Sequence, residues 1–96
     1  YDSASFSVSG QDSNPRGIRF NPDGTKMYMV GINAPPVSVH QYSLSTGFDI
    51  STASYDSVSF SVSGQDTLPL GIAFNPTGTK MYIMGYSTDT VYQYSV

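Results

Sequence analysis

Chemistry in this 96-residue chain has few places to start. The cations are Arg16, Arg19, Lys26 and Lys80, all seven acids are Asp, and His40 is the single imidazole. A Ser–His–Asp relay would need His40 as its proton carrier. A near-copy of its segment later in the chain, Val91-Tyr92-Gln93-Tyr94 against Val39-His40-Gln41-Tyr42, has tyrosine there instead. A mid-strand position that accepts Tyr reads as packing or surface, so no catalytic residue is expected and the chain is not expected to be an enzyme. Asp2, Asp12, Asp56 and Asp66 recur in register and raise a calcium reading. Calcium needs six or more oxygens converging on one point, and no Asp-x-Asp-x-Asp run supplies them. Aspartates accepting from backbone amides in turns are the simpler expectation, with no metal and no cofactor. The eight tyrosines could stack on sugar rings. Tyr28 with Tyr82 and Tyr42 with Tyr94 repeat within strands, where packing between sheets accounts for them; Tyr86 escapes that account.

What positions these residues is a repeat. Residues 1–31 return as residues 55–85, an offset of 54, with 23 of the 31 positions identical. A period of this size marks a modular fold whose unit cannot bury its apolar surface alone and stacks on copies of itself. The vocabulary is that of strands and turns: Ser, Thr, Gly, Tyr, Val and Phe dominate, and only 11% of residues are charged. With no cysteine there is neither a disulfide framework nor a thiolate metal site. The net charge of −3 and four scattered cations offer no basic stripe for phosphates, so no nucleic acid is expected. No apolar run approaches the roughly 18 residues of a membrane-spanning helix, and no membrane partner is expected. Residues 1–30 lack a signal-peptide layout, although a mature form would have lost one. A secreted or cell-surface setting is slightly favoured, with no motif that fixes it.

Ser5-Phe6-Ser7-Val8-Ser9 and Ser59-Phe60-Ser61-Val62-Ser63 alternate strictly and predict strands with Phe and Val on one face. Gly17-Ile18-Arg19-Phe20 and Lys26-Met27-Tyr28-Met29-Val30, joined by Asn21-Pro22-Asp23-Gly24, predict a tight hairpin. Gly71-Ile72-Ala73-Phe74, Asn75-Pro76-Thr77-Gly78 and Lys80-Met81-Tyr82-Ile83-Met84 predict its twin. After Gly31 and Gly85 the copies diverge, the first carrying a Pro35-Pro36 pair. The reading is four strands per repeat: A at 17–20, B at 26–30, C at 38–43 and D at 57–63. The second unit supplies A at 71–74, B at 80–84 and C at 90–95, and residues 3–9 are a strand D by their match to 57–63. Eight strands and no helix are expected.

Phe-Asn-Pro-Asp/Thr-Gly-Thr-Lys-Met-Tyr, followed by an apolar residue or two and Gly, then Val-x-Gln-Tyr-Ser, resembles bacterial β-propeller blades of the broad WD-like, NHL-like and YVTN-type group. The resemblance covers the entire chain and implies an all-β fold of two four-stranded antiparallel blades. Closed propellers have roughly four to eight blades, so two leave open apolar faces. Head-to-tail self-association that closes gives a ring, and a homotrimer with six blades is favoured over a tetramer with eight. The expected layout of residues 1–96 is a single two-blade segment. Residues 1–9 complete a neighbouring chain's blade, 16–63 form the first blade, and 70–96 give strands A to C of the second. The copy at 55–96 stops within the loop between strands C and D, which points to a partner chain finishing that blade by β-augmentation.

Positions that differ between copies are the better functional pointers: Asn14/Leu68, Arg16/Leu70, Arg19/Ala73, and residues 32–38 against 86–90. In propellers the D–A and B–C loops share one face and strand A lines the central channel. The resemblance therefore gathers Gln11, Asp12, Arg16, Arg19, Gln65, Asp66, Tyr86 and Asp89 around the channel mouth as candidate ligand contacts. Carbohydrate or a small anion is the expected ligand class; the plainer account has the arginines solvated or paired with Asp12. The functional expectation is a non-catalytic binding or structural module that assembles with itself. The alternative is a piece of a longer secreted propeller enzyme, lactonase-like or sugar-processing.

Overall fold

The structure, a computed structural model, describes residues 1–33 and 36–96. Pro35, half of the proline pair in the first B–C loop, lies outside the described residues. The chain is all-β, with seven strands among the described residues: β1 (Pro15–Phe20), β2 (Lys26–Gly31), β3 (Ser38–Leu44), β4 (Ala53–Ser61), β5 (Pro69–Phe74), β6 (Lys80–Gly85) and β7 (Thr90–Ser95). They form two antiparallel sheets, sheet 1 in the order β1-β2-β3-β4 and sheet 2 in the order β5-β6-β7. One short helical piece departs from the helix-free expectation. Ile50–Thr52 makes a single 3-10 turn, with Asp49 Oδ1 accepting from the Ser51 amide at 3.1 Å. An Asp followed by Ser and Thr satisfies its own turn amides locally, which the strand pattern around it concealed.

The hairpins form as their turn residues dictate. Asn21 Oδ1 accepts from the Lys26 amide at 3.0 Å, and the Gly24 amide donates to Asn21 O at 3.0 Å. Gly24 sits at φ 74° and Gly78 at φ 72°, a region costly for residues with a Cβ. Asn75 and Lys80 repeat the same bond at 3.0 Å. In sheet 1, β3 and β4 pair from Ser38↔Ser61 to Gln41↔Val58, then resume at Tyr42↔Tyr55. Asp56 and Ser57 are thus squeezed out of the ladder as a bulge, with Ser57 at φ 56°.

The sheets stack face to face. Tyr28, Val30 and Val39 of sheet 1 meet Ile72, Met81 and Ile83 of sheet 2, and Val62 fills the seam. Tyr28 and Phe74 lie with ring centroids 4.6 Å apart. The other face of sheet 1 carries Met27, Met29, Tyr42 and Leu44 under Phe6 and Val8.

The expected strand at 3–9 is not in any ladder, so the described residues hold seven strands where eight were expected, and sheet 2 has the three strands expected of residues 70–96. The strand C of sheet 1 already pairs with β4, and β7, the strand C of sheet 2, is an edge strand that residues 3–9 do not join. The segment nevertheless keeps the packing of a strand D. Ala4, Phe6 and Val8 are half-buried while Ser5, Ser7 and Ser9 are exposed. Phe6 meets Tyr42 edge-on with centroids 5.5 Å apart. Phe60 and Val62 at the end of β4 cover sheet 2 in the same manner.

Candidate functional site

The candidate site residues divide into those that hold the loops and those that face solvent. Asp12 and Asp66 belong to the first group, and both are buried. Asp12 Oδ1 accepts from the Asn14 amide at 2.7 Å and the Asn33 amide at 3.2 Å. Asp66 accepts from the amides of Leu68 at 2.7 Å, Ser87 at 3.3 Å and Thr88 at 2.9 Å, and from Thr88 Oγ1 at 2.7 Å. Each carboxylate thus pins the D–A connection to the B–C loop. Burial pushes Asp66 upward, but these hydrogen bonds more than reverse it and draw its pKa down to about 2. The glycine that ends each strand B makes room for this. A Cβ on Gly31 would strike the Asp12 carboxyl, and one on Gly85 the Asp66 carboxyl, far inside contact distance. The repeat carries Asp12 with Gly31 and Asp66 with Gly85, but their contact across the loop leaves no local pattern in the sequence.

Gln11 and Gln65 are likewise engaged within the chain. Each side-chain carbonyl accepts a tyrosine hydroxyl at 2.9 Å, Gln11 from Tyr42 and Gln65 from Tyr94. Burial, aided by Tyr55 and Asp12, pushes the Tyr42 phenol up to about 12. Arg19 reaches across the seam and donates from Nε to Ile72 O at 2.8 Å. Its counterpart in the second copy, Ala73, can make no such bond. His40 is buried, with Nδ1 3.3 Å from Tyr55 Oη and Nε2 without a hydrogen-bond partner among the described residues. Burial, partly countered by the Asp12 charge, lowers its pKa and favours the neutral ring.

Arg16, Tyr86 and Asp89 remain open to solvent. Arg16 and Tyr86 face one pocket of about 280 Å³ whose other walls are Ile32, Leu68 and Leu70. Tyr86 and Asp89 border a second of about 250 Å³ with Leu70 and Met84. Of the eight predicted contacts, these three stand at the loop pockets; the other five make the internal contacts just described, although Arg19 and Gln65 are themselves exposed and Arg19 also borders a pocket on sheet 2. Among the described residues no group of three or more His, Cys, Asp or Glu side chains is arranged to hold a metal ion.

The larger concave surfaces are the outer faces of the sheets. On sheet 1 a pocket of about 360 Å³ is lined by Phe6, Val8, Ile18, Met27 and Met29, among others. On sheet 2 one of about 300 Å³ is lined by Gly71, Ala73, Tyr82, Met84 and Val91, among others. These residues are the repeat images of the covered seam. Val30 is 0% exposed but its image Met84 is 52%; Val39 is 0% but Val91 is 61%; Ile72 is 5% but Ile18 is 50%. Each half of the buried seam is therefore present a second time: on sheet 2 Met84 and Val91 leave it exposed, while on sheet 1 Ile18 is exposed and Met27 and Met29, each 2% exposed, lie beneath Phe6 and Val8.

No family model, curated protein or solved structure matches the chain.

Proposed function

We propose that the two sheets are β-propeller blades and that the chain is a non-catalytic module which closes into a ring with further copies of itself. The observation that carries this reading is the uncovered seam. The open face of sheet 2 repeats the surface that sheet 1 offers to sheet 2, and the open face of sheet 1 repeats what sheet 2 offers in return. The operation that stacks the two sheets within one chain can therefore be applied again between chains. Such heterologous contacts close a ring when the rotation permits. Three chains give six blades, within the range of closed propellers. Residues 3–9 then lie beside β7 of the next chain as its fourth strand.

Native mass measurement of the 96-residue chain tests this, with a mass of three chains expected. Met84→Asp places a charge in the middle of the proposed contact, where an unpaired buried charge is strongly disfavoured, and should yield monomers. A wild-type protein that is monomeric at micromolar concentration overturns the ring.

The pocket between Arg16 and Tyr86 supports a binding role in addition. It joins an exposed cation to an exposed aromatic ring over an apolar floor, a combination suited to a small anion or a carbohydrate. Titration with glycans and small anions should show saturable binding that Arg16→Ala weakens. Binding indifferent to that substitution rules the site out.

A further inference from the structure

We propose that sheet 2 carries a carboxylate-binding site made by Lys80, Gln93 and Ser95, and that its ligand is the Asp2 side chain of a second copy of this chain. The proposal rests on the ring reading and specifies the contact that sets its register.

Sheet 1 contains the same site already filled. Asp56 Oδ2 accepts from Gln41 Nε2 at 2.8 Å, from Ser43 Oγ at 2.8 Å and from Lys26 Nζ at 3.4 Å. Lys26 Nζ also donates to Ser43 Oγ at 2.6 Å, which ties the cation to the strand edge. The bulge at Asp56 and Ser57 delivers the carboxylate, because the displaced backbone turns Asp56 onto the face that holds Lys26, Gln41 and Ser43. Burial pushes the Asp56 carboxyl up, but the Gln41, Ser43 and Lys26 contacts outweigh it and leave the pKa below the ordinary value.

Sheet 2 repeats every part of the receiver. Lys26 pairs with Ser43 and Tyr28 with Gln41 in sheet 1; Lys80 pairs with Ser95 and Tyr82 with Gln93 in sheet 2. Lys80 Nζ donates to Ser95 Oγ at 2.8 Å, the counterpart of the Lys26 bond. What differs is the acid. Among the described residues the one ion pair is Lys26–Asp56, so Lys80 has no carboxylate partner there.

The residue that aligns with Asp56 is Asp2, which is exposed. The segment around it already has the presenting conformation: Ser3 stands at φ 58°, against 56° for Ser57 in the paired bulge. Serine rarely visits this region, and here it does so with no ladder partner to impose it. Tyr1 follows the same pattern. Its image Tyr55 packs on Tyr42 at 5.3 Å and on His40 at 5.9 Å. The corresponding receivers on β7 are Tyr94 and Tyr92. Charge, backbone shape and aromatic neighbours thus all match the first ten residues of another copy to the edge of β7.

The test uses native mass spectrometry and sedimentation of the full chain over a dilution series. Asp2→Asn and Lys80→Gln should each raise the concentration of half-assembly by about thirtyfold, as loss of a charge-assisted contact of ~1.4 kcal/mol at each of the three joints would. The double variant should be no weaker than either single one, and Asp2→Lys combined with Lys80→Asp should recover assembly. If Asp2→Asn leaves half-assembly unchanged while Met84→Asp still yields monomers, the carboxylate site is wrong and the ring stands. If the unmodified chain stays monomeric throughout the series, both are wrong.

Discussion

A glycine at the end of a strand usually attracts attention for its φ angle, but Gly31 and Gly85 matter for the space they leave. Each backbone passes so close to a buried aspartate that a methyl group would overlap the carboxyl. Gly85→Ala should therefore cost about 1–3 kcal/mol, the usual penalty for forcing extra volume into a filled site. Gly64→Ala, where nothing lies within 4 Å, should change stability by no more than about 1 kcal/mol in either direction. Urea unfolding midpoints of the two variants read this contrast directly. Asp66 adds a pH dependence whose sign follows from its pKa of about 2, below the ordinary 3.8. A carboxyl depressed in the folded state contributes stability that is complete above the unfolded pKa. That contribution is lost as pH falls through the folded one. Melting temperature should thus drop between about pH 4 and pH 2, and Asp66→Asn should flatten that slope while lowering stability at pH 7. In the sequence the roles of Asp12 and Asp66 were half legible: their recurrence was visible and amide capping was the expected use. Their pairing with glycines 19 residues on was not, because contact across a loop leaves no local pattern.

At the level of elements, every ladder strand lies where alternation and turn chemistry placed it, with ends shifted by a few residues. The largest shift is in β4, which begins at Ala53 and leaves the ladder after Ser61. The alternating Ser-Phe-Ser-Val-Ser pattern predicted which side chains would be inward, but pairing depends on a neighbour that a pattern cannot supply. Of the same five residues, the first three sit in a sheet in the copy at 59–63, whereas all five lie outside one in the copy at 5–9. Deletion of residues 1–9 isolates this element. It uncovers Met27, Met29 and Tyr42 on sheet 1 and, in the proposed ring, strips β7 of its partner. The truncated chain should lose the native oligomer and scatter light on concentration. A truncated protein with the same number of chains per assembly and unchanged stability would falsify strand addition.

Across the whole molecule, the repeat makes the two sheets near-equivalent, and eight substitutions among 31 positions decide where they are not. One of these has a consequence for how the proposed ring comes apart. Arg19 bridges the seam between the two sheets by its bond to Ile72 O, whereas in the proposed ring Ala73 would face the seam between chains and offer nothing to Ile18 O of the neighbour. The ring would then have two kinds of joint in alternation, riveted within chains and unriveted between them. Dilution or mild denaturant should part it at the unriveted joints and release intact two-sheet pieces before either sheet pair separates. Ala73→Arg adds the missing rivet. It should slow exchange of isotopically labelled chains between rings without altering the blade count, as read by the rate at which mixed-mass rings form. The assembly would thus part between chains, where both the peptide connection and the Arg19 bond are missing.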